Sequence, residues 1–170
     1  MKPTKFFLTS AFVLACAFLA TAAGAQDPVL TLSREIVGLD ENGYFIPGTT
    51  SLEVIVTLDV ESGDPGTLTA VGLEETWAAG WTFDSAPTGS DCRPDVRPAA
   101  NAEGPFPFAY IAVPDFPCTF NYFVNVPEAP TLPIVVSGQL NYRTDGDPIL
   151  PDPTENEEVI QLEPTVVSFT

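Results

Sequence analysis

Residues 51–60 read Ser-Leu-Glu-Val-Ile-Val-Thr-Leu-Asp-Val. Leu52, Val54, Val56, Leu58 and Val60 share one parity; Ser51, Glu53, Thr57 and Asp59 share the other, interrupted only by Ile55. Successive side chains of a strand point to opposite faces, so this segment predicts a strand with one face in a core and one in water. The alternation returns at Cys118, Phe120, Tyr122, Val124 and Val126, set against Thr119, Asn121 and Asn125. It returns again at Val136, Gly138, Leu140 and Tyr142, opposite Ser137, Gln139, Asn141 and Arg143.

Working outward, less regular runs rich in β-branched and aromatic residues occupy Val29–Val37, 67–75, 81–85, 108–113 and 159–169. No long stretch repeats apolar residues at helical spacing. Turn clusters separate the runs: Asp40-Glu41-Asn42-Gly43, Ser62-Gly63-Asp64-Pro65-Gly66 and Asp145-Gly146-Asp147-Pro148. Gly supplies positive φ, Pro pre-sets a turn, and Asp or Asn bonds its own backbone. About eight short strands at this spacing predict an all-β, antiparallel β-sandwich. A membrane barrel would also use eight alternating strands. The dense prolines and the Glu, Asp, Asn and Arg on the polar faces exclude its lipid-facing band. Residues 86–107, with five Pro and few apolar side chains, read as a long surface loop. Residues 145–158, with three Pro and six acids, read as a second.

The N-terminus reads as an address. Lys2 and Lys5 precede an uncharged, mostly apolar run from Phe6 to Ala23, and Ala23-Gly24-Ala25 supplies the small residues of a signal-peptidase site. Residues 1–25 are therefore expected to be a signal peptide, and residues 26–170 a single β-sandwich domain beginning at Gln26. A lipoprotein reading at Val13-Leu14-Ala15-Cys16 would leave a further apolar stretch on the mature chain and is disfavoured. No integral membrane segment remains after cleavage. The protein is expected to be secreted or periplasmic.

Charge and composition exclude several functions. The chain of 170 residues holds 6 Lys+Arg against 23 Asp+Glu, and no His. Cleavage after Ala25 removes both lysines, leaving Arg34, Arg93, Arg97 and Arg143 against the 23 acids, a net charge of −19. Nucleic acid is excluded as a partner, since phosphate neutralisation takes clustered cations. Without His there is no Ser-His-Asp or Cys-His machinery, and without Lys there is no Schiff base. The chain is not expected to be an enzyme, and no cofactor is expected. Cys92 and Cys118 remain after cleavage and are most simply a disulfide in an oxidising compartment. A metal or redox pair is the alternative, disfavoured by the missing C-x-x-C spacing and the missing His.

Gly43-Tyr44-Phe45-Ile46-Pro47-Gly48 leads into the strand at 51–60, and Glu75-Thr76-Trp77-Ala78-Ala79-Gly80-Trp81-Thr82-Phe83 follows. This order resembles the immunoglobulin-like repeat domains of bacterial surface and secreted proteins, whose pattern runs roughly Asp/Glu-Thr-Leu-Pro-Ala-Gly-Trp-x-Phe. Trp77 and Ala78 stand here in place of Leu-Pro. The resemblance covers about residues 28–143. It implies an immunoglobulin-like sandwich serving as a spacer, adhesion or assembly module, without catalysis and without a named ligand. A lysine-free mature domain lacks the Lys–Asn or Lys–Asp cross-link found in many bacterial surface domains.

Two candidate sites stand out. Trp77 and Phe116 fall in turns, where Trp77 is expected to be partly exposed, and with other aromatics could stack on a sugar or a protein. Asp145, Asp147 and Asp152, with Glu155, Glu157 and Glu158, could gather around calcium, although no complete calcium-loop motif is present. The functional expectation is an exported, non-catalytic immunoglobulin-like module acting in structure, adhesion or protein–protein interaction, at the envelope or outside the cell. The alternative is a carbohydrate-binding module, calcium-assisted. The partner, protein or polysaccharide, is not named by the sequence.

Overall fold

The computed structural model describes residues 27–86, 92–145, 150–151 and 156–162. Ten strands follow in order: β1 (Val29–Val37), β2 (Tyr44–Phe45), β3 (Ser51–Ser62), β4 (Leu68–Thr76), β5 (Thr82–Ser85), β6 (Phe106–Tyr110), β7 (Cys118–Asn125), β8 (Ile134–Thr144), β9 (Leu150–Pro151) and β10 (Asn156–Leu162). A short 3-10 turn at Pro65–Thr67 is capped by Asp64, whose Oδ1 accepts from Gly66 N at 2.9 Å.

The strands form two sheets. The first has the order β1-β3-β7-β5; the second has β2-β10-β8-β4-β6, with β9 paired to β8. All pairings are antiparallel except β2 with β10, which is parallel. The sheets stack as a sandwich, as the alternation in β3 predicts. Leu52, Val54, Val56 and Leu58 of β3 meet Phe120, Tyr122 and Val124 of β7 on the inner face of the first sheet. Val71 and Leu73 of β4, Phe106 and Phe108 of β6, and Val136 and Leu140 of β8 face them from the second. Each fully buried Val, Leu or Phe adds about 1.5–3 kcal/mol over leaving it in water.

Three boundaries differ from the sequence expectation. The strand expected at 108–113 lies at Phe106–Tyr110, because β6 is a sheet edge, where Pro107 is tolerated. The chain then leaves the sheet at Ile111, whose N–H donates to Asp95 Oδ2 at 2.8 Å. The strand expected at 159–169 begins already at Asn156, and residues 150–151 form β9 inside the expected acidic loop. Backbone pairing of Asn156, Glu157 and Glu158 with Gly138, Ser137 and Val136 overrides their charge. Residues 163–170 and the expected signal peptide, 1–25, lie outside the described residues.

The expected loop 86–107 is more than a surface excursion, and among its residues 87–91 lie outside the described set. Phe83 N donates to Ala102 O at 2.8 Å and Asn101 N to Phe83 O at 2.6 Å, continuing the first sheet past β5. Val96 and Ala109 exchange both backbone bonds, at 3.0 and 3.1 Å, continuing the second sheet past β6. One segment therefore covers neighbouring edges of both sheets, where unpaired backbone would otherwise invite another chain. The Cys92–Cys118 disulfide fastens it to β7, with the Cα atoms 5.3 Å apart.

Opening this bond lengthens the free loop in the unfolded chain without altering the apolar core. In the chain-entropy account a loop of this size is worth about 3–4 kcal/mol. Cys92→Ser should therefore lower the melting temperature by about 10 °C under non-reducing conditions. Calorimetry checks this, and an unchanged melting temperature would contradict the role assigned to the bond.

Candidate functional site

Arg34, Glu75, Tyr122 and Gly138 are inward positions that break the apolar rule. On β1, Leu30, Leu32 and Ile36 point into the core, and Arg34 shares their parity. On β4, Val71 and Leu73 point inward, and so does Glu75. Tyr122 enters from β7, and Gly138 of β8 lies beside Glu75 in the ladder. The side chains of Arg34 and Glu75 are both 0% exposed.

These groups answer one another. Arg34 Nη2 donates to Glu75 Oε1 at 2.7 Å, and Arg34 Nε donates to Glu75 Oε2 at 2.9 Å. This is the two-point fork by which a guanidinium binds a carboxylate. Tyr122 OH donates to Glu75 Oε2 at 2.9 Å, and Trp77 Nε1 donates to Tyr122 OH at 3.0 Å. The chain of bonds runs from the first sheet to the second and back. Gly138 makes room for it: a Cβ there would overlap the Glu75 carboxylate and lie 2.5 Å from Arg34 Nη2.

Burial is the first cause that pushes the Tyr122 phenol well above its ordinary value of 10.0. The neighbouring Glu75 charge pushes the same way, while the Trp77 hydrogen bond and the Arg34 charge pull back. Tyr110 is also raised, by burial first and then by Asp95. Its hydroxyl donates to Cys92 O at 3.1 Å and lies 3.3 Å from Cys118 Sγ, against the disulfide.

Around the ion pair the aromatic rings close ranks. Trp77 and Trp81 lie 5.3 Å apart between centroids, and Phe83, Phe106 and Phe108 each contact Tyr122 at 5.2–6.3 Å. Trp81 and Phe83 fill the core, as their shared parity predicts. Gly80, at φ +86°, makes the turn before them, closed by Trp81 N donating to Ala78 O at 3.2 Å.

The expectation that Trp77 is partly exposed, and so a stacking platform for a sugar, is corrected here. Trp77 is 5% exposed, and its one polar atom is consumed by Tyr122. A buried indole takes a hydrogen-bond partner in the core rather than a ligand. Phe116 is different. It is half-buried and lines a cleft of about 550 Å³ with Pro65, Gly66, Val113, Pro114 and Asp115. The structure keeps Trp77 and Phe116 apart, one in the core and one at the β6–β7 connection. A second cleft, about 480 Å³, is lined by Ala78, Ala79, Trp81, Pro127 and residues of the chain leading into β8, and holds no charged side chain.

Of the calcium candidates, Asp145 is exposed at the end of β8, where its N–H donates to Thr67 O at 3.0 Å. Asp147, Asp152 and Glu155 lie outside the described residues. Glu157 and Glu158 fall on β10. Among the described residues no three acidic, Cys or His groups converge. No helix among them is long and apolar enough to cross a membrane.

The ion pair and its tyrosine generate two expectations. Glu75→Gln leaves a guanidinium buried without its counter-charge and should cost about 3–5 kcal/mol of stability in a denaturant titration. Arg34→Met combined with Glu75→Leu should recover most of that loss, because paired apolar replacements avoid the orphaned charge. A cost for Glu75→Gln below about 1 kcal/mol would show the pair to be ordinary surface electrostatics. The second expectation concerns alkaline pH. Well below pH 10 both phenols, Tyr110 and Tyr122, keep their protons whether the chain is folded or not. Above it the unfolded chain releases protons that the folded chain retains, so stability falls as pH rises, by up to about 1.4 kcal/mol per pH unit for each. Tyrosinate absorbance from these two rings should appear together with loss of near-ultraviolet circular dichroism. Ionisation of both in a folded protein would contradict the burial assigned to them.

No protein-family profile matches the chain, and no curated protein matches it. Among solved structures it is similar to the T6 backbone pilin of serotype M6 Streptococcus pyogenes, a modular three-domain structure decorated with variable loops and extensions. That likeness has 13% identity and a TM-score of 0.49 over 78% of this chain, and the chain spans 36% of the pilin's length. It is also similar to the collagen-binding domain from a Staphylococcus aureus adhesin, at 9% identity and a TM-score of 0.44, over 76% of this chain and 96% of that one.

Proposed function

We propose that this protein is an exported, non-catalytic immunoglobulin-like module that serves structure, adhesion or protein–protein interaction at the bacterial envelope or outside the cell. The observation that carries the reading is where the interior polar groups go. Arg34, Glu75, Tyr122 and Trp77 bond one another across the two sheets. Side chains that elsewhere perform acid–base work are here committed to bracing. The disulfide and the edge-covering segment add a second brace, suited to a compartment without reducing thiols.

The leader-like residues 1–25 and the net charge of −17 agree with export and with a module that stays apart from its own copies. The module presents its outer sheet faces and its loops to partners.

Expression in a bacterial host should place the protein in the periplasm or the medium, with Gln26 as its first residue and the thiols of Cys92 and Cys118 blocked. Cell fractionation with intact-mass and N-terminal peptide analysis checks all three at once. A cytoplasmic chain retaining Met1 and two free thiols would overturn the export reading. Crosslinking of the exported protein in intact cells, with partner identification by mass spectrometry, tests the interaction role. Recovery of a specific envelope protein is expected; turnover of a substrate by the purified domain would overturn the non-catalytic part.

A further inference from the structure

The cleft at the β6–β7 connection combines an aromatic ring, aliphatic walls and a carboxylate. Its walls are Pro65 and Gly66 from the 3-10 turn and Val113, Pro114 and Phe116 from the connection; its one ionisable lining residue is Asp115. Ile111 opens the same connection outside the cleft lining, an aliphatic side chain at 84% exposure. A volume of about 550 Å³ suits one or two side chains rather than a metal ion, and apolar walls call for an apolar stem.

Charge then names the occupant. Asp115 is exposed on the wall, and Asp64 is exposed next to Pro65, with Oδ1 turned to its own loop. Asp145 is held nearby through its N–H to Thr67 O at 3.0 Å. Among the described residues, Arg93 and Arg97 are bonded to the carbonyl oxygens of Ala86 and Pro94, and Arg143 lies on the outward parity of β8. A carboxylate at the rim and an aromatic ring in the wall favour a cation with an aliphatic stem, through Coulomb attraction and the ring face together. The field of so acidic a chain steers such a group inward.

We propose that this cleft docks an extended segment of a partner protein bearing Lys or Arg next to Pro or aliphatic residues. The partner's ammonium or guanidinium sits against Asp115 and Phe116, and its apolar neighbour covers Ile111 and Val113. This rests on the interaction-module reading and supplies the chemistry of the partner.

The test uses the mature protein and a fluorescent peptide of repeating Lys-Pro-Val, with repeating Glu-Pro-Val and a neutral oligosaccharide as comparison probes. Fluorescence anisotropy should show binding of the lysine peptide alone, weakened by salt. Asp115→Asn and Ile111→Ser should each weaken it by about fivefold or more, as truncation of a central contact does. Glu41→Gln removes one exposed charge from the far end of the sandwich and should leave binding within about twofold, since a distant rim charge contributes little. Phe116→Ala is read beside its melting curve, while Ile111→Ser and Asp115→Asn alter exposed side chains and report on docking directly. Equal loss in Asp115→Asn and Glu41→Gln would reduce the effect to net charge and overturn the site. Binding of the neutral oligosaccharide at this cleft would overturn the peptide assignment. Absence of any peptide binding would refute the cleft proposal while the crosslinking result in intact cells still stands or falls by itself.

Discussion

A guanidinium held between two β-sheets is the constraint around which this protein is arranged. Apolar faces attract without direction, so two greasy sheets can slide or rotate over one another at small cost. An arginine buried between them cannot. Arg34 requires a carboxylate at one distance and in one plane, and Glu75 supplies it from the opposite sheet at 2.7 and 2.9 Å. Tyr122 then donates to Glu75 Oε2 and accepts from Trp77 Nε1, so that each partner fixes the next. Such a pair adds little net free energy compared with an apolar replacement, because desolvation offsets most of the attraction. Its contribution is directional: it fixes which residues of the two sheets lie opposite.

The same constraint explains residues that otherwise look arbitrary. Gly138 is a weak strand former in the middle of an eleven-residue strand. It is there because the ion pair occupies the volume its Cβ would need. Trp77 stands just past the end of β4, and its indole N–H reaches Tyr122. The aromatic shell of Phe83, Phe106 and Phe108 surrounds Tyr122 and keeps water from the network. Low local dielectric strengthens each of these bonds, and makes the loss of any one partner costly.

Much of the architecture was legible in the chain. The parity of residues 52–60, 118–126 and 136–142 predicts the inner faces, and the structure buries Leu52, Val54, Val56, Leu58, Phe120, Tyr122, Val124, Val136 and Leu140. The two cysteines beyond residue 25 predict the Cys92–Cys118 bond that the structure contains. The buried network was missed, although its signal was present. Arg34 sits in phase with Leu30, Leu32 and Ile36, and Glu75 with Val71 and Leu73. A charge on an apolar parity demands a partner, and only the stacking of the sheet that holds β1 on the sheet that holds β4 shows which residues meet. Trp77 was misplaced for a related reason. A turn position suggests exposure, but a large ring next to Gly80 can fold back under the turn and find Tyr122. The cleft at Phe116 combines two segments some fifty residues apart, Pro65–Gly66 and 113–116. Periodicity carries no information about such a meeting.

The outside and the inside of the molecule solve opposite electrostatic problems. The surface gathers a net charge of −17 and expands under its own repulsion, which favours solubility and opposes compaction. Between the sheets Arg34 and Glu75 hold a cation and an anion in contact and locally neutral. Repulsion spread over a surface is weak per group and screened by salt, whereas the buried fork is neither. A disulfide at one margin and an ion pair between the sheets therefore let a heavily acidic shell be carried without loosening the strands beneath it. Apolar side chains left outside such a shell face a surface that repels acidic neighbours and draws basic ones. Phe116, half-buried beside the exposed Asp115 in the wall of one cleft, is placed in that way.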